Sequence, residues 1–380
     1  MDATPAYIES TFSRRPIYDG IFSGISAVDI TRVSFTSRLL HAAAQEYSVR
    51  AYSINRHLSR FFHDPLGFRS LQAQTGTLIS GSNALQFMDR TIWPDSDMDV
   101  YTHPGFAKRV GHWLIEKEGF VFAPSAEQPA TFLEAVPPWT PFHERKEIDE
   151  IVEDAMAGMY PGTGIHAIYT FKKEKEDKTL SVQIISSNES PFACILGFHS
   201  TCVMNFIAYN AAYSLYPYTT FERRLTLSMR RHKYAQLVVL KKYHDRGWRP
   251  VRSSTWPNQS FYVERNRRVG DRHTWTIPFD VTDVEGPCAL SSSSQPLTND
   301  PAVENTWMMV DGRDFFGKAV VNKMRYFTVT SPVLRYVYGI AERPLYMALS
   351  NAALDKERLQ PMPSDGDVDE NSLRESGWKW

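Results

Sequence analysis

GSNALQFMDRTIWPDSDMDVY, residues 81–101, is the stretch from which the fold is read. An apolar, β-leaning run, Thr77-Leu78-Ile79, comes just before it. The Gly81-Ser82 pair predicts a turn, Asn83 to Met88 has helix-compatible composition, and Pro94 belongs to a connector. The stretch ends on an acid-x-acid pair, Asp97-Met98-Asp99. Residues two apart on a strand point to the same face. A strand over 97–101 therefore sets Asp97 and Asp99 side by side and turns Met98 and Val100 into the core. Adjacent carboxylates repel unless a proton or divalent cation lies between them, and hard oxygen ligands suit Mg²⁺ or Mn²⁺. Backbone N–H groups and a hydroxyl at a Gly-Ser turn that opens a helix suit a phosphate.

Working outward, Ile165 to Phe171 and Thr179 to Ile185 alternate as two strands, and the charged KKEKEDK between them predicts a hairpin. Val182 and Ile184 fall on one face of the second strand, Ser181 and Gln183 on the other. Pro104-Gly105 predicts the start of an amphipathic helix carrying Val110, Trp113 and Leu114 and stopping near Gly119, with a strand over 120–122. Residues 136–141 are Pro-rich and read as loop, and 144–156 as an acidic, solvated helix.

A Gly-Ser turn, a short helix and Asp-x-Asp on the next strand resemble the signature of the polymerase-beta-like nucleotidyltransferase superfamily. The pattern SGSNALQ…R…SDMDVY is most like its toxin-type and abortive-infection-type members, and like a family of fungal proteins sharing that fold. The similarity covers residues 77–245. It implies an α/β (α+β) fold, a small mixed sheet flanked by helices, and transfer of a nucleotidyl group from an NTP to a hydroxyl. The catalytic and metal-binding roles would fall on Asp97 and Asp99, with Mg²⁺ or Mn²⁺ as cofactor, and nucleotide binding on Gly81, Ser82 and Gln183. Gln183 stands where the superfamily places a third acid, and an amide supplies neither its charge nor its basicity. Asp177 or Glu176 in the turn are the nearby acids.

The N-terminal part reads as helices. Ile17, Ile21 and Ile25 are spaced four apart with Phe22 beside them, and Ser26 to Asp29 resembles a capping box. Phe35, Leu39 and Leu40 lead into an Ala-rich run. RPIYDGIFSGISAVDITRVSFTSRLLHAAAQEY resembles a divergent F-box, whose usual Leu-Pro opening is here Arg15-Pro16. That resemblance implies docking of a Skp-type adaptor through residues 15–50, which would make the chain a ubiquitin-ligase substrate adaptor. Helices continue to Thr75; His57 and His63 are read as surface or capping groups without chemistry.

The domains expected are a leader (1–14), a helical module (15–75), a nucleotidyltransferase-like domain (76–250), a mostly helical region (251–358) and an acidic, disordered tail (359–380). Pro191 to Tyr216 is apolar but interrupted by His199, Asn205 and Asn210, so buried elements are expected there, not a membrane span. Thr219 to His244 reads as one cation-rich helix carrying Arg223, Arg224, Lys241 and Lys242, a solvated face or a wall for triphosphate or RNA. A net charge of −1 over 380 residues argues against a DNA-coating protein and leaves local nucleic-acid contact open. Three cysteines without metal spacing, and an opening with no basic or apolar signal region, predict a reducing compartment, cytoplasmic or nuclear. Three functions follow: an active NTP-dependent enzyme, a catalytically silent recognition module, or a purely structural acid pair and helix start.

Overall fold

A computed structural model of the chain describes residues 6–94, 96–136, 164–175, 178–229, 234–251, 261–286, 300–313, 319–331 and 334–359. Six helices come first: α1 (Ala6–Phe12), α2 (Arg15–Ser23), α3 (Ala27–Ser34), α4 (Arg38–Ala51), α5 (Ile54–Leu58) and α6 (Pro65–Thr75). Ser26, Ser37, Ser53 and Asp64 each cap a helix by accepting from a backbone N–H of its first turn, and Gly76 closes α6 in the left-handed region. Residues Tyr18, Phe22, Ile30, Ala43, Ala44 and Tyr47 form a core of their own. Of the four-spaced isoleucines, Ile25 packs against it but Ile17 and Ile21 do not. Ile17 and Ile21 are 41% and 40% exposed, and the inward ridge is Tyr18 and Phe22 one residue along.

The chain then enters a mixed sheet. β1 (Leu78–Ser80) leads into α7 (Gly81–Asp89), and β2 (Met98–Thr102) returns antiparallel to β1. After α8 (Ala107–Glu116), β3 (Val121–Phe122) and the short α9 (Phe132–Ala135), the hairpin β4 (Ile165–Lys175) and β5 (Lys178–Ser187) follows. β5 runs parallel beside β2. The apolar 191–216 segment splits into α10 (Pro191–Leu196), β6 (Asn205–Ile207) and β7 (Ala211–Ser214), all buried. Among the described residues no helix is long and apolar enough to cross a membrane. With β11 (Trp275–Pro278) paired to β7, eight strands form one sheet in the order β11-β7-β6-β1-β2-β5-β4-β3. It is a mixed α/β fold with helices against the sheet, and the sheet reaches beyond residue 250, where the nucleotidyltransferase-like part was expected to end.

Two helical expectations are corrected. Residues 219–244 are not one helix. A π-helical turn (Tyr218–Glu222) stops at Arg224, whose φ is +48°, and β8 (Leu225–Leu227) follows, parallel to β9 (Arg249–Val251). Helix α11 (Tyr234–Asp245) begins only after that. Leu225, Thr226 and Leu227 are buried on both faces, a demand a strand between layers meets and a solvated helix does not. The region 251–358 is not mostly helical either. β10 (Asn266–Arg268), β12 (Thr306–Arg313) and β13 (Ala319–Arg325) form a three-stranded sheet, and β14 (Phe327–Val329) pairs with β15 (Tyr338–Ile340). Trp307 and Met309 are buried while their neighbours are half-exposed, which is the period of a strand. Among the described residues of this region the one α-helix is α12 (Arg343–Leu359). The loop and acidic helix expected over 136–156, Glu176, Asp177 and the tail beyond 359 lie outside the described residues, apart from Val136.

Candidate active site

The site is built where β1, α7, β2 and β5 meet. Register pairs Ser80 with Asp99 across β1 and β2, and Asp99 with Gln183 across β2 and β5. Met98, Val100, Val182 and Ile184 are buried on the core face, so Asp97, Asp99 and Gln183 project from the opposite one. The three residues singled out from the sequence are therefore neighbours. Gln183 Nε2 donates to Asp97 Oδ2 at 3.4 Å.

Gly81 explains the turn. Its φ is +66°, and a Cβ built on it would lie 2.5 Å from Asp99 Oδ2. The backbone thus passes against the carboxylate as only glycine can. Ser80 does not cap α7, because its Oγ donates to the Asn205 carbonyl at 2.5 Å. The first-turn amides of α7 consequently lack a side-chain cap and carry the positive end of the helix dipole. Ser82 Oγ lies 2.9 Å from Ser96 Oγ, which also accepts from Gln86 Nε2 at 2.8 Å. Gln86 Oε1 in turn accepts the Trp93 backbone N–H at 2.6 Å. This chain of bonds ties the connector leading into Asp97 to the first turn of α7.

Asp97 is exposed and Asp99 half-buried. Desolvation pushes the Asp99 carboxyl up to about 7; the Asp97 charge adds to this and the Lys242 ammonium opposes it. The Tyr243 hydroxyl is pushed up by burial first, then by Cys202 and Asp99. Arg246, one turn further along, stacks its guanidinium 3.8 Å from the Trp93 ring centroid and keeps Nη1 buried without a hydrogen-bond partner. The last turn of α11 thus brings the Lys242 charge and the Tyr243 hydroxyl within electrostatic reach of Asp99, and Arg246 just beyond the helix packs on the connector at Trp93.

Sequence reading missed Trp93, Ser96, Gln86, Tyr243 and Arg246. Gln86 was within reach, four residues from Ser82 on one helical face. Tyr243 was obscured by the single-helix reading of 219–244, which singled out only its cations, and Arg246 lies beyond that range.

The exposed Asp97 and half-buried Asp99 carboxylates offer hard oxygens on one face, a donor type that suits a divalent cation such as Mg²⁺ or Mn²⁺. Among the described residues no group of three or more His, Cys, Asp or Glu comes together as a ligand cluster. No family model, no curated protein and no solved structure matches the chain.

Proposed function

We propose that the chain binds a nucleoside triphosphate at the junction of β1, α7, β2 and β5 and, with the help of Mg²⁺ or Mn²⁺, transfers its nucleotidyl group to an acceptor hydroxyl, the new acceptor O–Pα bond replacing the Pα–O–Pβ bond and pyrophosphate leaving. The observation that carries this reading is the approach of Gly81 to Asp99: an uncapped helix start and an acid pair share one small space. The α7 amides and the Ser82 hydroxyl suit phosphate oxygens. Asp97 and Asp99 would hold the cation, which when bound offsets charge on the entering and leaving oxygens of phosphoryl transfer. The Lys242 ammonium adds positive charge felt at Asp99, and Arg246 stacks on Trp93 in the connector.

The test is a thermal-shift panel of the four ribonucleoside triphosphates with Mg²⁺ or Mn²⁺, run on wild type and on Asp97→Asn/Asp99→Asn. A ligand at a hundred times its dissociation constant adds about 2.7 kcal/mol. A metal-dependent shift absent from the double variant supports the reading; no shift with any nucleotide sinks it.

A second reading, docking of a Skp-type adaptor to the N-terminal helices, is favoured by the outward placement of Ile17, Ile21 and Phe35, the last 81% exposed. Its test is pull-down of the adaptor by wild type and Ile21→Asp. Phe22→Asp is unsuitable, since Phe22 is fully buried and its loss would unfold the module. Equal capture by wild type and Ile21→Asp, or capture by neither, counts against this reading.

A further inference from the structure

We propose that Arg109 and Arg335 form a separate anion site, for the dianionic end of a phosphate monoester, where α6, the start of α8 and the β14–β15 connector meet. Asp97 and Asp99 lie at one end of β2; this site lies where the chain leaves the other end through His103, and it does not rest on the nucleotide-binding reading. Three stretches far apart in sequence supply its parts. Gln74, in the last turn of α6, accepts from both guanidinium groups: Arg109 Nη2 donates to its Oε1, and Arg335 Nη2 to its backbone carbonyl. The Arg335 guanidinium carbon is 5.8 Å from the Phe106 ring centroid and 5.3 Å from that of Tyr336. Phe106 is the N-cap residue of α8, so Arg335 stands beside the start of the helix whose first turn carries Arg109.

Charge makes this cluster more than a strut. Burial first, and then the Arg335 charge, push the Arg109 guanidinium toward its neutral form, while the Tyr336 hydroxyl opposes them. Both arginines also act on the Tyr336 hydroxyl, which burial pushes up to about 12. Two like charges and a phenol thus converge, and the residue both arginines meet is an amide that supplies oxygens without charge. The helix start adds to the deficit. No side chain caps α8, and its first turn holds no acid but Lys108 and Arg109, cations at the end of the dipole that favours anions. His103, 5% exposed, feels the Arg335 charge, stacks its ring 4.5 Å from that of Tyr336 and keeps Nδ1 buried without a hydrogen-bond partner. Two guanidinium forks match the two charges and the oxygen geometry of a phosphomonoester dianion. A carboxylate or a phosphodiester, with one charge, would leave one fork uncompensated. A bound phosphate would also tie the β14–β15 connector to α6 and α8.

The experiment is isothermal titration calorimetry and thermal melting of the full chain at fixed ionic strength. The probes are methyl phosphate and inorganic phosphate, with dimethyl phosphate as the monoanion. Expected is one methyl phosphate per chain that raises the melting temperature, with dimethyl phosphate weaker by about tenfold or more, as the loss of a charge-assisted hydrogen bond implies. Arg335→Met should weaken methyl phosphate by a similar factor. Gln74→Glu keeps the acceptor for Arg109 and sets a carboxylate between the two guanidinium groups, so it should melt above wild type and gain nothing further from methyl phosphate. Gly81→Ala, which alters the other candidate phosphate site, should bind methyl phosphate as wild type does. No binding by wild type, equal affinity for the diester, or binding of inorganic phosphate alone overturns the proposal. Unchanged affinity in Arg335→Met, or loss in Gly81→Ala with retention in Gln74→Glu, places the phosphate elsewhere and overturns it as well. Arg335 is exposed, so Arg335→Met should melt cooperatively; should it not, Gln74→Glu alone decides, and a phosphate shift as large as that of wild type refutes the site.

Discussion

Gly81→Ala tests the site at its tightest point. The substitution does two things at once. It places a β-carbon on a residue in the left-handed region, at φ +66°, which costs a non-glycine residue about 1–2 kcal/mol. It also sets that carbon 2.5 Å from Asp99 Oδ2, so either the carboxylate turns away or the turn opens. Gly119→Ala separates the two effects, because Gly119 has φ +71° with nothing within 4 Å of its Cβ position. Gly119→Ala should therefore lose the conformational term alone, and Gly81→Ala that term plus the clash. The sharper difference is in binding. At a hundred times its dissociation constant, nucleotide with Mn²⁺ bound at the proposed site would stabilise wild type by about 2.7 kcal/mol, and a hundredfold weaker site would leave only about 0.4. Differential scanning calorimetry with and without nucleotide should show the ligand shift nearly intact in Gly119→Ala and mostly erased in Gly81→Ala. A full ligand shift in a destabilised Gly81→Ala would refute the view that this glycine exists to admit Asp99.

Three further outcomes follow from buried polar groups. Asp99 and Asp300 are each pushed up to about 7, chiefly by desolvation, from 3.8; the folded chain holds more protons than the unfolded there, so their contribution to stability falls as pH rises from roughly 4 to 7. His57 and His103 are pushed down by burial to about 4 and about 3 from 6.5, giving stability that rises with pH up to roughly 6.5. Asp300→Asn should consequently tilt the stability profile between roughly pH 4.5 and 6 upward by about 1.4 kcal/mol per pH unit, and an unchanged slope in urea titrations would contradict it. Glu118 is fully buried and accepts from the His63 and Asp64 amides at 2.7 and 2.9 Å with Lys173 Nζ at 3.5 Å; Glu118→Ala strands these donors and should cost about 3 kcal/mol in urea denaturation, whereas a loss under 1 would be too small. Arg69, 2% exposed, donates to the Tyr209 and Asp280 carbonyls and to Asn55 Oδ1; Arg69→Met should lower stability by about 2–4 kcal/mol and free the 280 region to limited proteolysis.

Legibility in the sequence tracked how local the determining forces were. The turn, helix and strand over 81–101 were readable because a glycine, a helical run and an alternating strand each declare themselves within a few residues. The β4–β5 hairpin was readable for the same reason, and its alternation placed Gln183 on the acid face. What failed was decided by distant partners. Leu225-Thr-Leu227 has no strand signature beyond three residues; it becomes one because β9, more than twenty residues later, lies parallel to it. Ile17 and Ile21 keep a flawless four-residue spacing on the outer face, since Tyr18 and Phe22 give the same helix a second apolar ridge with larger rings to bury. Composition could not choose between the ridges. The Gly81–Asp99 approach was hidden for a similar reason: sequence supplies the glycine, but only the antiparallel register of β1 and β2 brings the carboxylate over it.

Helix α7 joins the two halves of the functional argument. Its first residues, Gly81 and Ser82, face the acid pair, and its last, Asp89, binds Arg224 at 2.8 Å. Arg90, which ends the helix in the left-handed region, reaches into the N-terminal module and donates to the Phe22 and Ile25 carbonyls and the Tyr47 hydroxyl at 2.9, 2.6 and 2.8 Å. Nine residues of helix span about 13 Å, and a helix of that length buried along most of its body transmits displacement as a rod. The N-terminal helices are therefore clamped to the element that opens the candidate site, with Arg32 and Glu222 adding a second tie at 3.2 Å. A partner docked on the Ile17–Ile21 face would be held in a fixed orientation to the proposed nucleotide site. Releasing the module would require breaking all three Arg90 bonds and the Arg32–Glu222 tie.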